Sequence, residues 1–184
     1  MAGVFPGMMR LLSAFSCEPE LVGSLLISKK HQLPEVELKD ELDVESQLAQ
    51  IQSAQKLNLR SFKPLVCLRP HLWILVDHQT ASVSEIFVDH LKQTKRAQVL
   101  GQLTAGEVVM AQWFSIASLG QSGGASYSLS VPIADYENFR YQKLEEAGVR
   151  PDIFLDYDLE SALTGRDSWI DEILKMRHKQ LRTK

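Results

Sequence analysis

Cysteine is nearly absent from this chain: 184 residues carry two, Cys17 and Cys67. The pair has neither the spacing of a metal site nor the number of a disulfide framework. Cys67 lies in the apolar run LVCLR, so it reads as a small buried hydrophobe. Long apolar runs are also missing, and no stretch reaches the roughly 20 residues of a membrane span. The opening MAGVFPGMMRLLSAF is too short and too weakly charged for a secretory signal and reads as a helix, which leaves the compartment open. A basic excess is lacking too. Lys and Arg number 20 against 23 Asp and Glu, for a formal net charge of −3. That argues against nucleic-acid partners, whose recognition needs a clustered basic face. The basic tail MRHKQLRTK suits a helix C-terminus instead. No motif asks for a cofactor or a metal.

What is present is ordinary for a soluble globular domain: 45% apolar and 23% charged residues. The length suits one domain. Pro6 at a first-turn position, with Met9, Leu12 and Phe15 at helical spacing, predicts a helix over 6–16. LVGSLLIS (21–28) has the character of a short strand. Composition then changes from about 32 to 60. EVELKDELDVE carries six acids and one lysine, a solvated face. Val44, Leu48 and Ile51 fall on one side of a surface helix expected over 44–57. Pro64 and Pro70 bracket LVCLR, and HLWILVD follows as a buried strand. A helix is expected from about Glu85 to Thr94, then a strand RAQVLG (96–101). Gly123–Gly124 marks a turn before the alternating strand SYSLSVPIADY (126–136). Asp158 and Asp167 are placed to cap two C-terminal helices, the first closed by Gly165. The second carries an apolar stripe of Ile170, Ile173, Leu174 and Leu181. Strand and helix alternate, so the fold class is α/β.

The stretch DHQTASVSEIFVDHL (77–91) is the most informative. An abrupt strand-to-helix turn leaves free backbone N–H groups that, with the helix dipole, suit an anion. A serine there can attack a carbonyl while neighbouring amides hold the oxyanion. The alternative is capping alone: Ser82 with Glu85 three residues on makes a capping box.

Three blocks occur in order: WILVDHQTASVSEIF, RAQVLGQLTAG and LEEAGVRPDI. Together they resemble the tail-specific, or C-terminal-processing, serine proteases and their tricorn-core relatives, over roughly residues 64–156. The resemblance implies that Ser82, three residues before Glu85, is the nucleophile and that the Val83 backbone N–H is one oxyanion donor. Thr80 and Ser84 are then capping and packing hydroxyls. It implies a peptide or protein substrate and a crotonase- or Clp-protease-like spiral of strand–strand–helix units.

The chain departs from that pattern at the base. The tail-specific branch places a lysine after T-x-G; here Glu107 follows Thr104–Ala105–Gly106, and a carboxylate of ordinary pKa is a poor base for a serine hydroxyl. The helper acid of that branch falls at Gln93. The tricorn-type branch instead pairs its serine with an upstream histidine and an acid near the G-V-x-P-D block. Glu145 is the best match for that acid, with Glu146 its neighbour. None of His31, His71, His78, His90 and His178 matches the histidine, and His78 and His90 read as surface residues. The D-x-R-x-N-x-G-G turn that supplies a second oxyanion donor is represented by MAGVFPG, with Gly3 and Gly7 but no Asp, Arg or Asn. The expectation is therefore a single, partial domain over 1–184, incomplete on its N-terminal side. The strand neighbouring LVGSLLIS would then be missing, leaving an edge open to homo-oligomeric or other association. Two functions follow from the resemblance: a peptidase whose base lies outside this chain, or a catalytically inactive scaffold that binds a peptide or an apolar ligand. An unrelated interaction domain is the third reading.

Overall fold

Met8, Met9 and Leu12 lie three and four positions apart, so one turn of helix brings them to a common face. In the computed structural model, which describes residues 4–27, 56–115 and 127–182, they are buried on α1 (Val4–Ser16) while Leu11 on the other side is exposed. Phe15 extends the same face and meets the Phe87 ring edge-on at 6.3 Å. Phe87 belongs to α2 (Val83–Gln93), against which α1 packs. The acidic excursion up to residue 55, most of the helix expected over 44–57, the Gly123–Gly124 turn and His31 lie outside the described residues. The last residues expected in that helix, Lys56 and Leu57, open a strand instead.

Among the described residues, the strands form two sheets. Antiparallel β1 (Leu21–Ile27) lies between β2 (Lys56–Arg60) and β6 (Ser128–Asn138), and β5 (Met110–Ser115) closes the order β2-β1-β6-β5. The open edge expected beside LVGSLLIS is therefore not there. Residues 56–60, read by composition as part of a polar excursion, supply the partner, with Ser24 opposite Asn58 and Leu25 opposite Leu57. The second sheet is parallel: β3 (Leu72–Val76), β4 (Ala97–Gly101) and β7 (Ile153–Phe154), in that order. Helix α2 is the crossover that a parallel β3–β4 pair requires. β3 was expected to be buried along its length, but only Val76 is; it stands at one end of the sheet and its other residues are half-covered.

The core forms where α1 and α2 meet the sheets. Leu12, Val22, Leu25, Leu91, Val99 and Tyr136 are almost wholly shielded from solvent. Beyond β7, Asp158 accepts the Glu160 and Ser161 amides and starts α3 (Leu159–Leu163), and Gly165 follows with φ 75°. Asp167 accepts from Trp169 and Ile170 at the start of α4 (Ser168–Arg182). These caps agree with the sequence reading. The α4 stripe is less covered than its pattern suggests, with Ile170 and Leu174 exposed.

Two expectations about single side chains fail. Cys67 is exposed and bonded to Cys17, with Cα atoms 4.8 Å apart. The run LVCLR is no strand; it crosses the end of α1, where the Leu68 amide donates to the Ala14 carbonyl at 2.8 Å. That crossing brings two cysteines 50 positions apart into reach. His90 is not a surface residue either: 1% of it is exposed, and its Nε2 lies 2.7 Å from the Glu20 carboxylate. Arg96 bonds the same carboxylate, and Phe139 packs on the imidazole with ring centroids 5.4 Å apart. His78 is exposed, as expected.

Candidate active site

Ser82 stands at the junction of the apolar strand and α2, as the N-cap, with φ 61° and ψ −133°. A β-carbon makes positive φ costly, about 1–3 kcal/mol for a non-glycine residue, so the surroundings must impose it. They do so from two sides. The Ser82 amide donates to the Glu107 carbonyl at 2.8 Å and to the Glu85 carboxylate at 3.1 Å. The Thr80 carbonyl accepts the Ala105 amide at 2.9 Å, and Asp77 ties down Thr80 through its amide and its hydroxyl. The segment 77–82 is thereby laced to 105–107.

The arrangement has the outline of a capping box, with the serine side chain facing the Glu85 amide, but the hydroxyl makes no cap bond of its own. That amide donates at 2.9 Å to the Ser82 carbonyl instead. The hydroxyl donates no hydrogen bond among the described residues. The Val83 amide, in the first turn, has no acceptor among the described residues, as expected for a helix start. Ser82 and Val83 are partly exposed, and Ser84 is exposed.

Glu85 organises the turn. It is completely buried, and its carboxylate accepts from the Thr104 hydroxyl at 2.5 Å and from the amides of Gly106 and Glu107 at 2.8 and 2.9 Å, besides that of Ser82. A buried carboxylate is tolerable only when its lone pairs are met in this way. Thr104 then reaches the third block. Its oxygen accepts the Val149 amide at 2.7 Å. One glutamate and one threonine thus connect SEIF, TAG and GVRPD. The close approach explains two glycines. Gly106 (φ 72°) and Gly148 (φ 63°) hold left-handed backbone, and a β-carbon on Gly148 would sit 2.7 Å from the Thr104 carbonyl oxygen. The sequence reading placed Glu85 in a cap and overlooked this role; the signal was a glutamate among the apolar positions Ile86, Val88 and Leu91 that this helix buries.

Glu145 is half-buried, and its Oε2 accepts the Val108 and Val109 amides at 2.7 and 2.9 Å. It is joined to Ser82 through the segment 107–109 and not by a direct hydrogen bond. Glu146 is exposed, and its amide donates to the Gly106 carbonyl. Glu107, at the lysine position, is exposed; its amide and carbonyl are engaged by Glu85 and Ser82. Gln93 donates to Asp89 at 3.3 Å on the buried side of α2. Burial pushes the Asp89 carboxyl above its ordinary value, although Asn138 and Gln93 hydrogen bonds act against this. Among the described residues, no group of three or more His, Cys, Asp and Glu side chains is placed to hold a metal ion.

Two clefts flank these residues, and they share no lining residue. One, of about 600 Å³, opens beside the serine turn between Met8 and Leu11 of α1, Ile74 of β3 and Val83, Ser84 and Phe87 of α2. The other, of about 510 Å³, is lined by Leu26, Val109 and Ile133 together with Asp135, Lys143 and Glu145.

Residues 32–155 match Peptidase family S41. The chain is 31% identical over 90 residues to the carboxyl-terminal-processing protease of Synechocystis sp., an overlap of 49% of this chain and 19% of that protein. It is 37% identical over 81 residues to the chloroplastic carboxyl-terminal-processing peptidase 2 of Arabidopsis thaliana, covering 44% of this chain and 14% of that one. It therefore spans less than a fifth of these relatives. The fold is similar to that of the photosystem II D1 C-terminal processing protease, with TM-score 0.54 and 19% identity over 83% of this chain and 31% of the other. It is also similar to mature CPAF complexed with lactacystin, with TM-score 0.62 and 17% identity over 96% and 42%. With a family match across all three of its motif blocks, and a mixed α/β fold shared with processing proteases, the chain belongs to Peptidase family S41.

Proposed function

We propose that this chain is the nucleophile-bearing part of a serine peptidase, a single partial domain over 1–184 that hydrolyses peptide bonds through Ser82. One observation carries the reading. Ser82 is held at positive φ on a strand-to-helix turn, its hydroxyl donating no hydrogen bond among the described residues, next to a Val83 amide likewise without an acceptor among them and an apolar cleft. A strained backbone is stored where it serves a purpose, and capping alone asks for none. The hydroxyl attacks the scissile carbonyl, its proton passes to a base, and the Val83 amide receives the oxyanion. Glu145 supports the site by holding the amides of 108 and 109, next to the carbonyl that accepts the Ser82 amide. The base comes from outside this chain, from a longer protein or a partner subunit. The parallel unit β3–α2–β4 with β7 is consistent with one turn of a crotonase-like spiral.

Glu107 favours a second reading. A carboxylate where relatives carry a lysine leaves the serine without its base, and the same cleft then serves an inactive scaffold that holds a peptide or an apolar ligand. A fluorophosphonate probe separates the two. Labelling of folded wild type, lost in Ser82→Ala, supports the nucleophile. Folded protein that stays unlabelled between about pH 6 and 9 even within the longer protein, or with the partner subunit, that would carry the base leaves only the scaffold.

A further inference from the structure

No Asp or Glu occurs between Glu45 and Asp77, in a chain whose acids otherwise outnumber its bases. The structure presents part of this acid-free stretch in an unusual way. The connection 61–71, between β2 and β3, exposes four large apolar side chains within seven residues: Phe62, Leu65, Val66 and Leu68. Leu65 is bare to solvent at 103% of its reference area. A free loop would fold such side chains back onto itself, but this one is pinned at several points. The Ser61 amide donates to the Glu20 carbonyl at 2.9 Å, the Phe62 amide to the Ser13 hydroxyl at 2.7 Å and the Leu68 amide to the Ala14 carbonyl at 2.8 Å. The Cys17–Cys67 bond clamps the far side. Pro64 and Pro70 stiffen what remains.

Among the described residues, the exposed charges around this apolar tip are mostly positive. Arg60, Lys63 and Arg69 are all exposed. Of the nearby acids, Glu20 is engaged by Arg96 and His90. Exposed Glu18 lies alongside through its carbonyl, which accepts the Ser61 hydroxyl. Three cations against that one acid leave two positive charges. A pinned apolar tip flanked by cations matches the two layers of an anionic bilayer surface, acyl boundary and headgroup.

We propose that the loop 61–71 is a membrane-surface docking element, inserting Leu65 and Val66 among the acyl chains of an anionic lipid surface while Arg60, Lys63 and Arg69 contact its headgroups. It docks without crossing the bilayer, since no described helix is long and apolar enough to do so.

The test is co-sedimentation of the 184-residue chain with phosphatidylcholine vesicles containing about a third phosphatidylglycerol, and with phosphatidylcholine alone. Wild type should partition about tenfold more strongly onto the anionic vesicles, an advantage that shrinks with salt. Leu65→Glu/Val66→Glu should abolish binding to both. Lys63→Glu/Arg69→Glu, which leaves the apolar tip intact, should remove only the anionic preference. All four side chains are exposed, so unchanged circular dichroism is expected to verify the fold of each variant. Equal partition of wild type and both variants overturns the proposal. So does a wild-type dimer in sedimentation velocity that Leu65→Glu/Val66→Glu dissociates, because the tip then belongs to a second copy.

Discussion

The Thr104 hydroxyl donates to the Glu85 carboxylate at 2.5 Å, and both side chains are buried. Through this bond the helix that begins after Ser82 is locked to the segment 104–107, and Thr104 passes the connection on to Val149. The positive φ of Ser82 is a consequence of this lock, not of the turn's own sequence.

Ser82→Gly should therefore stabilise the fold by about 1 kcal/mol, since glycine adopts φ 61° without a β-carbon penalty. Urea denaturation of wild type and variant measures this directly. A glycine variant that is less stable would mean that position 82 carries no strain.

Thr104→Val keeps the volume but removes the hydroxyl, leaving Glu85 short of a donor and the Val149 amide short of an acceptor. A loss of about 2 kcal/mol is expected. Glu85→Gln turns one of four acceptor contacts into a clash of donors and should cost about 2–3 kcal/mol. Because both substitutions break one network, the double variant should lose clearly less than their sum. Additive losses in a denaturant double-mutant cycle would show that the two residues act separately.

Joining Cys17 to Cys67 closes a loop with a sequence separation of 50. On the chain-entropy account, reduction should lower stability by up to about 4 kcal/mol. Thermal melts with and without a phosphine reductant measure the loss, and thiol titration of the unreduced, denatured chain should find no free cysteine.

Burial by itself would raise the Glu20 carboxyl, but the hydrogen bonds with Arg96 and His90 prevail and hold it below its ordinary 4.5. In the folded state it then binds protons less readily than in the unfolded state. Its contribution is present above about pH 4.5 and is lost as pH falls through the lower folded value. Asp89, raised by burial, acts in the opposite sense: its penalty holds at neutral pH and is relieved on acidification. Glu20→Gln should accordingly destabilise at pH 7, and the gap to wild type should close below about pH 4.5. A gap of constant size from pH 7 to pH 3, followed by chemical denaturation, would rule out the linkage.

Much of this molecule was legible residue by residue. Pro6, Asp158, Asp167 and Gly165 act on backbone within one turn of themselves, so the helix ends they mark need no knowledge of the rest of the chain. The three motif blocks and the serine among them were visible for the same reason, since a turn is written in consecutive residues. The function of Glu85 was only half visible. Its spacing from Ser82 announced a capping box, while three of its four donors come from residues 104–107.

What the chain order could not convey is which distant segments meet. The partner strand of β1 arrives from 56–60, the disulfide joins a helix end to a loop, and His90 is buried because Glu20 and Phe139 close over it. The sequence by itself determined the family, the alternation of strands and helices, and the candidate nucleophile, because each rests on short-range pattern. Only the tertiary structure decided that Ser82 is strained, that Glu145 grips backbone amides, and that 61–71 stands out as an apolar, cationic tip. Each of those depends on contacts between residues far apart in the chain, whose energies no local window contains.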